Sequence, residues 1–337
     1  MGRKISIKKL SEVTGFSPAT ISNALNKKPG VKKETADLIF KAAEDLGYLD
    51  GSTSIRKIRF VVYHKNGFII DNSNFHNFLM EGVSAEASEN GLDTIISQLN
   101  CGSEGFDTLL DQIKSETDCG IVLLATEMDQ EAYRLFEECK SNIVLLDGWS
   151  RDENFDSVSI ANFNAAYKAV QYLYKKGHRK IGRVKSRFRI QAFREREQGY
   201  RQAMEDLGLS VREDWEFLAG TTEQEAQLDM GRILDQGRIE PTALFVDDDR
   251  IAYGVMQAIQ MRGLRIPEDI SILGFDDLPS SSLTRPALST ISVYKQEMGR
   301  CAVRCLLSGM EHKEREGYLK IELSTEIAER KSVAQLI

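Results

Sequence analysis

The chain has 337 residues, 42% of them apolar and 28% charged, and 44 Lys+Arg against 51 Asp+Glu give a net charge of -7. That is chain enough for two or three domains with cores of their own, which excludes a disordered tail or a mini-protein. No run approaches the ~18 uncharged apolar residues of a membrane span, and the opening Met1-Gly2-Arg3-Lys4-Ile5-Ser6 leads into no apolar signal core, so a cytoplasmic protein without a membrane partner is expected.

The charge is unevenly placed. Residues 1–59 hold 12 basic and 6 acidic side chains, a local excess of positive charge ahead of a strongly acidic body. A basic module attracts polyanions because each neutralised phosphate releases counterions, although a solvated Lys-rich surface accounts for the charge equally well. Three short helices are predicted here. Ser6 caps a first helix whose Ile7, Leu10 and Val13 fall on one face, and Gly15 marks the turn after it. Ser17 is a good N-cap and Pro18 suits the first helical position of the second, where Ile21, Ala24 and Leu25 point inward and Pro18, Ala19, Ser22, Asn23 and Asn26 outward. A third helix over 32–46 buries Ala36, Ile39, Phe40 and Ala43 and ends at Gly47. Two short helices around a glycine turn, buttressed by a third, describe a helix-turn-helix; a three-helix packing module without DNA fits the same periodicity.

The run from Ile5 to Asn26, with Ser17-Pro18-Ala19-Thr20-Ile21-Ser22-Asn23-Ala24-Leu25 at its centre, resembles the headpiece of the LacI/GalR family of bacterial transcription regulators, and Gly47-Tyr48 matches the headpiece's close. The resemblance implies that Ser17, Thr20, Ser22 and Asn26 hold phosphates of double-stranded DNA, that Pro18, Ala19 and Asn23 face bases, and that Ser6 joins the DNA contacts. Asn23 stands where the family usually has Arg. An adenine contact in place of a guanine contact is the expected consequence, and with it an altered operator.

The linker departs from the family pattern. Where members carry an Asn-x-x-Ala-Arg-x-Leu hinge, this chain reads Asp50-Gly51-Ser52-Thr53-Ser54-Ile55-Arg56-Lys57, which is short, rich in small residues and without the wedge Leu; Ile55 is the candidate substitute.

Beyond it, strands are predicted at 58–63, 94–99, 120–124, 143–146, 180–184, 243–246 and 270–275, separated by amphipathic helices including 75–90, 106–115, 165–176 and 251–261. Short apolar strands between helices indicate parallel sheets, and so many strands divide into two lobes with a cleft at their ends, where small molecules bind. Leu146-Asp147, Lys176-Gly177-His178-Arg179, Arg196-Glu197-Gln198-Gly199-Tyr200, Val246-Asp247-Asp248-Asp249 and Ile272-Leu273-Gly274-Phe275-Asp276-Asp277 resemble, in order, the effector domain of the same family. Matched residue by residue, the resemblance places Asp147, Arg196, Asp248 and Asp276 in the cleft. Carboxylates accept from adjacent hydroxyls and Arg donates two parallel bonds, which suits a polyol, and an aromatic residue covers the apolar face of a sugar ring. Trp149, Phe188 and Phe193 are candidates for that aromatic, core packing being the alternative for each, and Phe193 is chosen. Asp248 replaces the usual Asn and disfavours anionic effectors unless Arg194 or Arg196 offsets it; a neutral sugar or glycoside is expected. The loop 64–74 matches no general family feature and is a candidate cover for the ligand.

Other features read plainly. Asp247-Asp248-Asp249 is taken as a helix start with Asp249 as cap rather than a metal site, and the five cysteines, with no C-x-x-C spacing, as reduced. Scans for phosphate-loop, nucleophile-elbow, zinc-protease and dinucleotide motifs find nothing, so no catalytic residue, cofactor or metal is assigned. The expected fold is an all-α helix-turn-helix headpiece plus a two-lobed α/β effector domain of periplasmic-binding-protein type. Its predicted parts are a headpiece over 1–50, a linker over 51–57 and the effector domain over 58–337, with lobe 1 at 58–161 and 291–320 and lobe 2 at 162–290 and 321–337. The expected function is that of a DNA-binding regulator, a repressor, controlled by a sugar. It would work as a homodimer on a pseudo-palindromic operator, with no room after Arg330 for a tetramerising coiled coil. The alternative is a sugar-binding protein without a DNA role.

Overall fold

A computed structural model describes residues 7–25, 30–46, 55–71, 74–152, 154–237, 239–312 and 314–336. Three helices open the chain, α1 (Ile7–Thr14), α2 (Pro18–Leu25) and α3 (Lys33–Asp45). Leu10, Ile21, Ala24, Ile39 and Ala43 close one small core between them. The Ser17 hydroxyl accepts from Thr20 N at 3.1 Å, the predicted cap of α2. Val13, assigned to the apolar face of α1, is instead 53% exposed. An eight-residue helix buries a narrow stripe, and Leu10 already fills it.

The body alternates strand and helix. In chain order it runs β1 (Lys57–His64), α4 (Phe75–Glu89), β2 (Asp93–Asn100), α5 (Phe106–Ser115), β3 (Cys119–Leu124), α6 (Gln130–Arg134), β4 (Ile143–Leu146) and β5 (Asp156–Ile160). It continues with α7 (Asn162–Lys175), β6 (Ile181–Ser186), α8 (Gln191–Asp206), β7 (Glu216–Ala219), α9 (Glu223–Asp235), β8 (Ala243–Val246), α10 (Asp249–Met261), β9 (Ser271–Asp276) and β10 (Ser289–Ser292). The last elements are α11 (Lys295–Glu311), β11 (Lys320–Leu323) and β12 (Glu326–Ala328).

Two six-stranded sheets result, ordered β11-β5-β4-β3-β1-β2 and β12-β10-β9-β8-β6-β7. Every pairing is parallel except that of β12 with β10. Central strands such as Cys119–Leu124 are buried throughout, as strands covered on both faces must be, whereas the edge strand β2 leaves Ile96 half exposed. The chain crosses between the lobes three times. The first crossing lies between Ile160 and Asn162. The other two lie later in the chain than the expected boundaries at 291 and 321. β10 stays in lobe 2 through Ser292, and β11 at Lys320–Leu323 pairs with β5 in lobe 1, so the change to lobe 2 comes after Leu323 rather than at 321. Both strands are four residues long and too mixed in composition to betray their sheet.

Helices approach closely where glycine permits it. A Cβ on Gly82 of α4 would lie 1.9 Å from Gln296 O, and one on Gly299 of α11 would lie 2.1 Å from Leu79 O, so the two glycines face each other's backbones. This contact ties α11, reached only after the excursion through lobe 2, back onto lobe 1. The largest apolar cluster runs from Phe60 and Val122 in the first sheet to Phe245 and Phe275 in the second, so the lobes share core along their hinge side.

Candidate functional site

The carboxyl ends of both sheets meet at a cavity with roughly 560 Å³ of unfilled space, part of it open to solvent. Asp147, Phe193, Arg196, Asp248 and Asp276 all line it. Asp147 follows β4 with φ 60°, a left-handed turn pinned by its N–H on Val158 O at 2.9 Å. Asp276 ends β9 at φ 107° and is followed by Asp277 at φ 51°. Two successive non-glycine residues in that region are costly alone, and Lys295 at the start of α11 offsets the cost by donating to the carbonyls of Asp276, Asp277 and Val293.

Arg196 projects from α8 and is held on every side. Its Nε donates to Asn162 Oδ1 at 2.9 Å, its Nη1 to the carbonyl of Asp247, and its Nη2 lies 3.5 Å from Asp276 Oδ1. Its plane sits 3.4 Å from the Phe275 ring centroid, with Phe193 at 5.3 Å. Asp247, buried behind it, binds Arg183 at 2.7 Å, Arg189 and the Ser186 N–H, so the carbonyl that orients Arg196 is itself fixed. The Asp triplet is thus divided among three duties. Asp248, not Asp249, caps α10 by accepting from Ile251 N at 2.8 Å, and its free oxygen faces the cavity. Asp249 turns inward to Ser281, Thr290 and Leu278 N. The sequence reading chose the wrong cap because three adjacent Asp residues offer the same chemistry, and only the β9–β10 side of the fold supplies Asp249 with partners.

The cavity is acidic, with Asp147, Asp248 and Asp276 in its wall and part of its space open to solvent. Burial pushes the Asp147 carboxyl up to about 6, against the Thr126 hydroxyl bound at 2.7 Å and the Arg196 charge. Burial likewise raises Asp276 to about 7, opposed by Arg196, and Asp248 to about 7, reinforced by Asp276.

Several wall residues carry no motif. Ile69, Ile70, Phe75, Ile190 and Ala192 form the apolar side, and Thr126, Thr221 and Arg250 add polar atoms. The loop 64–74 contributes Ile69 and Ile70 to the cavity wall, and a single carboxylate gathers its backbone. Glu127, 3% exposed, accepts from the N–H groups of Lys65, Asn66 and Gly67 at 3.0–3.2 Å on one oxygen and of Ile69 and Ile70 at 2.8 and 3.1 Å on the other. Phe68 at the loop tip meets Phe188 of lobe 2 edge to face at 5.5 Å. Of the three candidate aromatics Phe193 alone lines the cavity; Phe188 belongs to this contact, and Trp149 donates to Glu195 at 2.6 Å outside the cavity. Arg194 is exposed, so Arg196 is the guanidinium that offsets the acids.

On the headpiece, Ser17, Pro18, Ala19 and Asn23 are exposed and Thr20 and Ser22 half-buried, all on or beside the start of α2. Ser6, Asn26 and most of the linker lie outside the described residues, as does the question of a hinge helix.

A helix-turn-helix headpiece joined to a two-lobed binding body defines a ligand-responsive DNA-binding regulator. Residues 170–333 match the periplasmic binding protein-like domain. The repressor PurR of Haemophilus influenzae (strain PittEE) is 28% identical over 337 residues, covering 98% of this chain and 99% of its own. A transcriptional regulator CelR in complex with cellobiose superimposes with TM-score 0.73 at 22% identity over 97% of this chain and 99% of its own, and a lac repressor dimer bound to operator and the anti-inducer ONPF with TM-score 0.72 at 20% identity over 98% and 100%. These findings agree with the motif resemblance and support a ligand-controlled DNA-binding regulator of the LacI/GalR type.

Proposed function

We propose that this repressor holds a pseudo-palindromic operator as a homodimer and releases or grips it according to whether a sugar occupies the cleft between its lobes. What carries the reading is one chain holding both an exposed polar helix start at Ser17 and a cavity of carboxylates with an oriented Arg196. Ser17, Thr20 and Ser22 would hold phosphates, with Ser6 and Asn26 beside them, while Pro18, Ala19 and Asn23 face base edges. The polar set Asp147, Arg196, Asp248 and Asp276 matches hydroxyl donors and acceptors, and Phe193 and the Ile69-Ile70 wall match the apolar face of a ring. A cellobiose complex among the structures of like fold supports a carbohydrate ligand. An effector preferring the closed lobes shifts operator affinity by that preference. The protein acts without a reaction of its own, in the compartment that holds the DNA; among the described residues no helix is long and apolar enough to cross a membrane.

Binding titrations on an operator library test the DNA half. Asn23→Ala should relax preference at one base pair by ~1–3 kcal/mol, and a variant whose base preference is unchanged contradicts the assignment.

A further inference from the structure

We propose that the effector carries a protonated amine beside its hydroxyls, so that the cleft selects amino sugars over their neutral parents. The inference rests on the polyol reading of the cavity and goes beyond it by counting what the protein leaves unsatisfied there. Asp147 accepts one hydrogen bond, from Thr126, and Asp248 one, from Ile251 N. The Asp276 carboxylate has Arg196 Nη2 at 3.5 Å. Six carboxylate oxygens can accept about a dozen hydrogen bonds, so most of that capacity faces the cavity.

Most of the nearby cationic groups are bound by the protein itself, Arg196 Nη2 beside Asp276 and Arg250 being the ones that reach the cavity. Arg196 spends Nε and Nη1 on Asn162 and the Asp247 carbonyl, and Lys295 spends its ammonium on three backbone carbonyls. Arg183 and Arg189 are absorbed by Asp247 and Glu197. Among the described residues Arg250 alone brings a buried guanidinium nitrogen to the cavity wall without a hydrogen-bond partner, a donor suited to one ring or hydroxyl oxygen. Phe75 and Phe193 also line this space, with Lys295 beside the first ring and Arg189 and Arg196 beside the second. Carboxylates with spare lone pairs beside aromatic faces are the surroundings an ammonium group prefers, since it is the ligand group that supplies three donors and a charge at once. Burial raises the Asp248 and Asp276 carboxyls in spite of Arg196, and a cationic ligand group would act against that shift.

The test is calorimetric titration of the full chain at pH 7 with matched triads: glucose, glucosamine and N-acetylglucosamine, and the galacto and manno equivalents. At least one hexosamine should bind tenfold or more tightly than both its parent hexose and its N-acetyl form, an advantage on the order of one charge-assisted hydrogen bond. In Asp248→Asn, where Asn still caps α10, the ratio of hexosamine to hexose affinity should fall towards one, and Asp276→Asn, which keeps a residue tolerant of positive φ, should do the same. A hexose that binds as well as or better than its amine overturns the inference and leaves the sugar reading standing. A preparation that binds its promoter DNA but no member of any triad overturns both.

Discussion

Three carboxylates share one cavity, and the protein bears a cost for them when it is empty. Burial raises both Asp248 and Asp276, and the Asp276 charge raises Asp248 further. Their folded-state values lie above those of an unfolded chain, so the stability these groups contribute is full below about pH 4 and is lost as pH rises through about 7. Asp248→Asn keeps the cap and removes that titration. Its melting temperature should exceed the parent's by roughly 2–4 °C at pH 8, and the gap should close towards pH 4, followed by thermal melting without ligand. A gap that is absent at pH 8, or that widens on acidification, rejects the electrostatic description of the cleft. The residues in this cavity were legible to unequal degrees. Asp147, Arg196, Asp248 and Asp276 stand inside recognisable motifs. Thr126 and Ile190 reach the cavity only because the two sheets align there, and no local pattern marks them. Glu127 was invisible for another reason: its role is to bind five backbone N–H groups, and backbone donors leave no trace in side-chain composition.

At the level of elements, hydrophobic pattern located α4, α5, α7 and α10 and the buried central strands with small errors, while α8, α9 and α11 were not picked out. β5, β7, β10, β11 and β12 escaped it. Asp156–Ile160 and most of Ser289–Ser292 are buried yet contain more polar than apolar residues, because their Ser, Thr and Asp side chains find partners at crossings of the chain, such as Asp156 with Arg315 at 2.5 Å and Ser289 with Arg330 N at 2.8 Å. Hydrogen bonding there replaces the apolar signal on which strand recognition depends. Helix approach is controlled as tightly. Because Gly299 meets the Leu79 carbonyl with no space for a methyl, Gly299→Ala should force α4 and α11 apart and destabilise lobe 1 by about 1–3 kcal/mol, with the intrinsic helix preference of Ala recovering less than 1 kcal/mol. Denaturant unfolding followed by circular dichroism measures it; an Ala variant as stable as the parent means the crossing is looser than described.

Across the whole molecule, the chain's three passages between the lobes place α11 on lobe 1 while its first residue, Lys295, holds the backbone of the lobe 2 residue Asp276. A ligand that engages Asp276 and Arg196 from lobe 2 and Asp147 from lobe 1 would draw on both lobes, which the Phe68–Phe188 contact also bridges. Such a ligand has the differential affinity that moving a two-state equilibrium requires. The measurement that tests this most directly is operator affinity by fluorescence anisotropy, with and without a sugar that binds the cleft, in the parent protein and in Arg196→Ala. The parent should change affinity about 5- to 150-fold on ligand addition, whereas Arg196→Ala should bind operator as the ligand-free parent does and lose the response. A full ligand response in Arg196→Ala, or operator affinity indifferent to every ligand the cleft takes up, would contradict the account.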